Sequence, residues 1–300
     1  MSLFDNLVIH GMPLVPKPIV GRVASRYVAG ESLDDAVRVI RDLNNEGAMT
    51  TVDVLGEEVT ERSRAESAVA EYIRLLDRIE AEGLDANISI KPTLVGLKID
   101  EGLCSEMVEI LAGHAAEYSN FVRIDMEDHS CTDGTLRVFS NARNTHDNVG
   151  IVLQAYMRRT IPDINDLLPL TPNVRICKGI YREPRTIAWK DFDTVRSNFT
   201  YAMEKLLEKG CYVGIATHDE HLVWAGMRAV EQLGLDPEQY EFQMLLGVDP
   251  ELRRIILDAG HRLRVYVPYG RDWYPYSIRR LRENPTVARH VMRAMASPGS

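Results

Sequence analysis

Strand-like and helix-like stretches alternate along this chain eight times, at intervals of about 23 to 39 residues and with no long linker or low-complexity gap between them. Few architectures accommodate that pattern. Ahead of it, Ser32 precedes Leu33, Ala36, Val37, Ile40 and Leu43 at helical spacing, and Gly47 stops the run, which predicts a lead-in helix. Residues 48–55 read as the first strand. Ser63-x-x-Glu66 reads as a capping box before a long helix whose inner stripe is Ala65, Ala68, Val69, Tyr72, Ile73, Leu76 and Ile79, ended by Gly83. The later pairs are strand 87–91 with helix 105–118, strand 121–125 with helix 132–144, and strand 149–156 with a short helix after Pro162. They continue with strand 174–178 and helix 192–209, strand 212–216 and helix 221–233, strand 240–245 and helix 250–259, and strand 264–267 with a closing helix. Eight such units favour a parallel (β/α)8 barrel of TIM-like form in the α/β class over an open doubly wound sheet. The expected layout is one domain: a lead-in with an extra helix over 1–46, the eight units over 47–284, and a tail over 285–300. The barrel is expected to be distorted, with a final helix over its mouth.

Composition narrows the class of partner. A chain of 300 residues with 45% hydrophobic content can bury a large core. Its 35 basic and 44 acidic residues leave a formal charge of −9, and no lysine-arginine run occurs, which argues against nucleic acid as a partner and against an electrostatic membrane anchor. Cys104, Cys131, Cys177 and Cys211 show no paired spacing, so free thiols in a reducing compartment are expected rather than a disulfide frame or zinc site. No apolar run reaches the roughly 18 residues of a spanning helix, and no basic-then-apolar signal order opens the chain, so a cytoplasmic location is the expectation. No G-x-G-x-x-G or G-x-x-x-x-G-K-[ST] follows any strand, which disfavours Rossmann and P-loop nucleotide sites.

Barrels of this kind carry their chemistry where strands end and the following loops begin. Polar residues gather at those points: Glu57, Lys91, Asp125 to His129, Gln154 and Tyr156, Arg175 to Tyr181, Thr217 to His221, Gln243 and Tyr266. The stretch Tyr266-Val-Pro-Tyr-Gly-Arg-Asp-Trp-Tyr-Pro-Tyr-Ser-Ile-Arg-Arg-Leu-Arg-Glu283 follows the last strand. A helix over 273–282, with Pro275 in its first turn, would put Tyr276, Arg279, Arg280 and Glu283 on one face. Paired guanidinium groups grip a carboxylate by two-pronged hydrogen bonds, and tyrosine rings cover the apolar part of a small ligand. Those features describe an amino-acid pocket; packing of a basic surface helix is the other reading. Three rivals stand beside the pocket. Asp125, Glu127, His129, His218 and His221 are ligand types of metal-dependent barrel hydrolases. Lys91 or Lys178 would suit a Schiff-base lyase. Gly179 and the Thr217-His218 turn offer N–H groups to a phosphate or pyrophosphate.

The segments Ser89-Ile-Lys-Pro, Arg123-Ile-Asp-Met-Glu-Asp, Leu153-Gln-Ala-Tyr, Arg175-Ile-Cys-Lys-Gly-Ile-Tyr, Ala216-Thr-His-Asp and 266–283 resemble, in order, the motifs of proline dehydrogenases, as does Leu55-Gly-Glu57. The resemblance spans about residues 25 to 285 and implies an FAD-dependent barrel, monofunctional in kind and similar to the proline dehydrogenase domain of bifunctional proline utilisation flavoproteins. Such enzymes oxidise L-proline to 1-pyrroline-5-carboxylate, the first step toward glutamate, and pass electrons to a membrane quinone. On matching positions, Asp125 and Arg175 would be catalytic, with Arg175 donating toward flavin N5. Lys91, Tyr266, Tyr276, Arg279 and Arg280 would hold the substrate. Met126, Gln154, Lys178, Gly179, Ile180, Thr217 and His218 would contact FAD, and Glu283 would pair with Lys91 or approach the cofactor. Glu57 and Arg279 would form a gate. No metal is implied. Ile180 stands where an alanine is frequent and Pro92 where a leucine is common, which bears on pocket size and on the approach of Lys91. A length of 300 residues leaves no room for the aldehyde dehydrogenase of the bifunctional relatives, so a separate enzyme would oxidise the product. The tail would cover the mouth or dock peripherally on the inner face of the membrane.

Overall fold

The computed structural model describes residues 25–274, 276 and 277. Eight parallel strands close on themselves in chain order: β1 (Met49–Val54), β2 (Ala86–Ile90), β3 (Val122–Ile124), β4 (Val149–Gln154), β5 (Asn173–Cys177), β6 (Val213–Ala216), β7 (Tyr240–Leu245) and β8 (Leu263–Tyr269). The lead-in helix is α1 (Leu33–Asn45). Helices α2 (Arg62–Ala81), α3 (Glu101–Glu117), α4 (His129–Arg143), α5 (Thr160–Leu167), α6 (Phe192–Glu208), α7 (Glu220–Leu233) and α8 (Pro250–Asp258) link successive strands. The expected barrel is therefore present, and its boundaries fall within a few residues of those read from periodicity.

The lead-in helix α1 does more than introduce the domain. Ser32 caps it, its side chain accepting from the N–H of Asp35 while Asp35 reaches back to the N–H of Ser32. Ala36, Val37, Ile40 and Leu43 are buried where α1 packs across β8 and β1. In a regular barrel the helix after the last strand covers that seam. Trp273, Tyr274, Tyr276 and Ser277 are helical, but the rest of the expected closing helix lies outside the described residues.

The capping box expected at Ser63 and Glu66 is not formed. α2 begins at Arg62 behind Glu61, which makes no side-chain cap. Ser63 lies inside the first turn, where its carbonyl accepts from Ser67 Oγ at 2.7 Å, and Glu66 pairs instead with Arg62 at 2.8 Å. An i,i+4 ion pair has replaced the reciprocal cap.

Alternation along the strands separates two cores. Val52, Ile88, Ile90, Ile124, Ile151, Ile176, Ile215, Phe242 and Val265 are buried within the main apolar cluster. Their strand neighbours meet in the lumen, which is polar. Low in the barrel, Arg264 Nε bonds Glu241 at 2.9 and 3.0 Å and its Nη1 donates to Thr50 O at 2.7 Å, while Arg123 Nη1 donates to Asn173 O at 2.7 Å. Burial works to raise the Glu241 carboxyl, but contact with Arg264 and the charge of Arg123 hold it below its ordinary value. The lumen is thus filled by paired charge that is hydrogen-bonded to its neighbours, the condition under which buried ions are tolerated.

Candidate active site

At the carboxyl ends of the strands a second polar layer surrounds Asp125, the residue just past β3. Ser89 of β2 donates to Asp125 Oδ1 at 2.7 Å, Arg175 of β5 pairs with the same oxygen through Nη1 at 2.7 Å, and Tyr266 of β8 donates to Oδ2 at 3.0 Å. Arg175 also reaches Ser89 Oγ at 3.1 Å, and its Nε bonds Gln243 Oε1 of β7. Its guanidinium carbon lies 5.4 Å from the centre of the Tyr266 ring. Five strands therefore fix one carboxylate, one guanidinium and one phenol. Burial, then the neighbouring charge of Asp125, pushes the Tyr266 hydroxyl well above its ordinary range, so it stays a donor.

Lys91 follows β2 and is buried, and its ammonium is paired with Asp53 of β1. Asp53 is not among the residues singled out from sequence, although an acid between Val52 and Val54 inside a strand is itself a signal. Burial alone would lower the Lys91 ammonium; the contact with Asp53, with Asp125 and Glu127 beyond it, raises it. Tyr72 of α2 inserts its hydroxyl between β1 and β2, donating to Ser89 O at 2.9 Å and accepting from Val54 N at 3.2 Å. There it replaces ladder bonds beyond the last registered pair, Val52 with Ile88.

On the opposite side, Gln154 is buried and donates to Glu127 O at 2.8 Å, and Met126 is buried. Lys178 Nζ lies 3.1 Å from Asp219, whose carboxylate Arg196 also holds at 2.7 and 2.8 Å. Burial works to raise Asp219, but bonds from Arg196 and Lys178 bring it down to about 2. Gly179 has φ +104°, and a Cβ there would meet the Tyr156 ring at 2.1 Å, so only glycine fits. Ile180 is exposed. Thr217 Oγ1 accepts from the N–H of Asp219, the residue that precedes α7, at 3.0 Å. His218 accepts the Leu245 N–H on Nε2 at 2.8 Å; that nitrogen offers no proton to a phosphate, which narrows its expected cofactor role to its other atoms.

The metal-ligand set does not converge. Glu127 accepts from the N–H and Oγ1 of Thr93 at 2.8 and 2.7 Å, and His129 Nδ1 lies 2.5 Å from Glu183, another residue missed from sequence. Among the described residues no three histidine, cysteine or acidic side chains are grouped to hold an ion. The two lysines considered for a Schiff base are both in ion pairs, with Asp53 and Asp219. Glu57 lies exposed after β1, and Tyr276 packs with Val28, Leu55 and Trp273. Arg279, Arg280 and Glu283 lie outside the described residues, so neither the gate nor the arginine pair is placed.

Within this layer Arg175 offers a ligand an open donor. With Nε and Nη1 occupied, Arg175 Nη2 is buried and has no hydrogen-bond partner among the described residues. A buried guanidinium nitrogen left open at a strand end suits an electron-rich acceptor in the barrel mouth.

A family model described as proline dehydrogenase matches residues 36–293. Proline dehydrogenase 1 of Bacillus subtilis (strain 168) is 34% identical over 272 residues, covering 91% of this chain and 90% of that protein. Proline dehydrogenase of Deinococcus radiodurans is 36% identical over 278 residues, with 91% and 90% covered. Among solved structures, proline utilization A (PutA) from Bdellovibrio bacteriovorus, inactivated by N-propargylglycine, superposes with a TM-score of 0.80 at 25% identity, over 86% of this chain and 32% of that one. The chain spans about a third of that larger protein. No helix among the described residues is long and apolar enough to cross a membrane. A family match over most of its length, and relatives above 30% identity nearly end to end, establish that this chain belongs to the proline dehydrogenase family.

Proposed function

We propose that the barrel oxidises L-proline to 1-pyrroline-5-carboxylate, with FAD bound non-covalently at its mouth and electrons passed on to a membrane quinone. The observation that carries this reading is the open Nη2 of buried Arg175, held beside Asp125, Ser89, Gln243 and Tyr266. When bound, FAD supplies the two-electron acceptor for the hydride leaving proline C5.

The protein's own groups hold and orient. Lys91, kept cationic by Asp53, with Arg279 and Arg280, binds the substrate carboxylate, and Tyr266 and Tyr276 cover the pyrrolidine ring. Arg175 would offer its open N–H to the flavin, where a fixed positive charge would favour the reduced state. Both oxygens of Asp125 are already bonded, so its part is to set Arg175 and Tyr266 in place, and proline binds with its amine unprotonated. Gln154, Met126, Lys178, Gly179, Ile180, Thr217 and His218 would contact the cofactor, and Glu283 is assigned to the same group by the family resemblance alone. Glu57 and Arg279 close the mouth over substrate. The product passes to a separate 1-pyrroline-5-carboxylate dehydrogenase, and the enzyme meets its quinone from the cytoplasmic face as a peripheral protein.

The test is direct. Purified protein should be yellow and should bleach anaerobically on adding proline. A colourless protein carrying stoichiometric metal would replace this reading with a hydrolase, and proline binding without bleaching would replace it with a sensor.

A further inference from the structure

Beneath Arg175 the lumen contains a chain of contacts that the reaction itself does not call for. Arg175 Nε donates to Gln243 Oε1, and Gln243 Nε2 donates to Glu241 Oε1. Glu241 is gripped by Arg264, which is anchored on Thr50 O. An amide side chain can sit either way round, and here both neighbours decide it. A guanidinium only donates, so it requires the amide oxygen; a carboxylate only accepts, so it requires the amide NH2. Arg175, Glu241, Gln243 and Arg264 are all buried.

The backbone is fitted to this chain. Gly214 of β6 stands in register between Arg175 and Glu241, and a Cβ there would lie 2.6 Å from Gln243 Nε2. The space that a side chain on β6 would fill is where the Gln243 amide lies. Its φ is not in the left-handed region that would itself call for glycine. The requirement is room.

We propose that Gln243, aligned by Glu241, is a positioning residue that aims the free Nη2 of Arg175 into the barrel mouth, and that Gly214 is bare to let it do so. The proposal rests on the reading that Arg175 faces the flavin. Asp125 and Ser89 hold one edge of the guanidinium at Nη1; Gln243 holds Nε. Two anchors on different nitrogens leave a planar group one orientation.

The experiment compares Arg175→Met, Gln243→Met and Gly214→Ala as flavin-loaded proteins, by flavin midpoint potential, visible spectrum, and kcat and KM for proline. It also follows the Arg175 Nε–H in flavin-free, 15N-arginine-labelled protein, assigned by its absence in Arg175→Met. Arg175→Met should lower the potential by removing positive charge. Gln243→Met and Gly214→Ala should shift it the same way by less, lower kcat by about 10- to 100-fold, as loss of an orienting partner does at metal-bound histidines, and leave KM little changed. Their Nε–H signal should move and exchange faster with solvent. If Arg175→Met shifts the potential while the other two do not, the positioning role is wrong. If Arg175→Met leaves the potential unmoved, the flavin-facing reading fails instead, and the Nε–H signal, which needs no flavin, still decides the positioning claim. Should Gln243→Met not fold, Gly214→Ala decides alone: an unmoved Nε–H overturns the proposal.

Discussion

Replacing Asp53 by asparagine isolates the pair that holds Lys91. Asp53 is fully buried and the Lys91 side chain is 8% exposed, so solvent screens the pair little. Breaking a buried pair by removing one charge costs about 3 to 5 kcal/mol. The introduced amide would still offer an oxygen, and Asp125 and Glu127 still attract the ammonium, which places Asp53→Asn near the lower end, about 3 kcal/mol. At about 2.1 cal/mol/K of unfolding entropy per residue, a chain of 300 residues changes Tm by about 5 °C for that loss. The same change lowers the pKa of Lys91, so proline KM should start to rise at lower pH than in the parent, with kcat less affected. Calorimetry of Asp53→Asn, Lys91→Met and the double variant measures the coupling, expected at about 3 kcal/mol. A loss below about 1 kcal/mol with coupling near zero would show that the buried contact does not hold Lys91 and would refute the reasoning.

Gly179→Ala forces a side chain into a left-handed backbone and onto the Tyr156 ring; a cost of about 1 to 3 kcal/mol and weakened flavin retention on gel filtration are expected. Asp219 has a depressed carboxyl at about 2, so its stabilisation is whole above the unfolded carboxyl range near 4 and lost as pH falls toward about 2. Asp219→Asn should remove that acid-side slope and about 2 kcal/mol of stability at neutral pH, read by urea unfolding. Arg279→Met and Arg280→Met should each raise proline KM by about 10- to 100-fold, the equivalent of a charge-assisted hydrogen bond of about 1.5 to 3 kcal/mol; unchanged constants in both would remove the carboxylate clamp.

Much of the fold was legible because each helix carries its apolar stripe locally: Ala65, Ala68, Val69, Tyr72, Leu76 and Ile79 are all buried in α2. Asp125, Arg175, Lys91 and Tyr266 were legible as polar residues at strand ends, where a barrel concentrates chemistry. What stayed hidden depends on partners far apart in the chain. Ser63-x-x-Glu66 satisfied a local rule, yet Arg62 offered Glu66 an ion pair and took the first turn. Asp53 meets Lys91 only through strand pairing, and Glu183 meets His129 only when the loop after β5 folds against the start of α4. The polar lumen was hidden for the same reason: Glu241 and Arg264 look like ordinary surface charges until the strands close.

The seam between β8 and β1 also sets when this protein can finish folding. β1 ends at Val54 and β8 at Tyr269, and further backbone bonds join Gly270 to Gly30 and Ala29 to Pro268 at 2.9 Å. At a synthesis rate of about 5 to 20 residues per second, the roughly 215 residues between the two strand ends take about 10 to 40 s to emerge. Throughout that interval the nascent chain has a bare β1 edge and an α1 whose apolar face has only part of its seat, the kind of surface that pairs with other chains. Holding factors on the ribosome would find their target at β1 and α1, and a stop codon before β8 would leave seven strands unable to close.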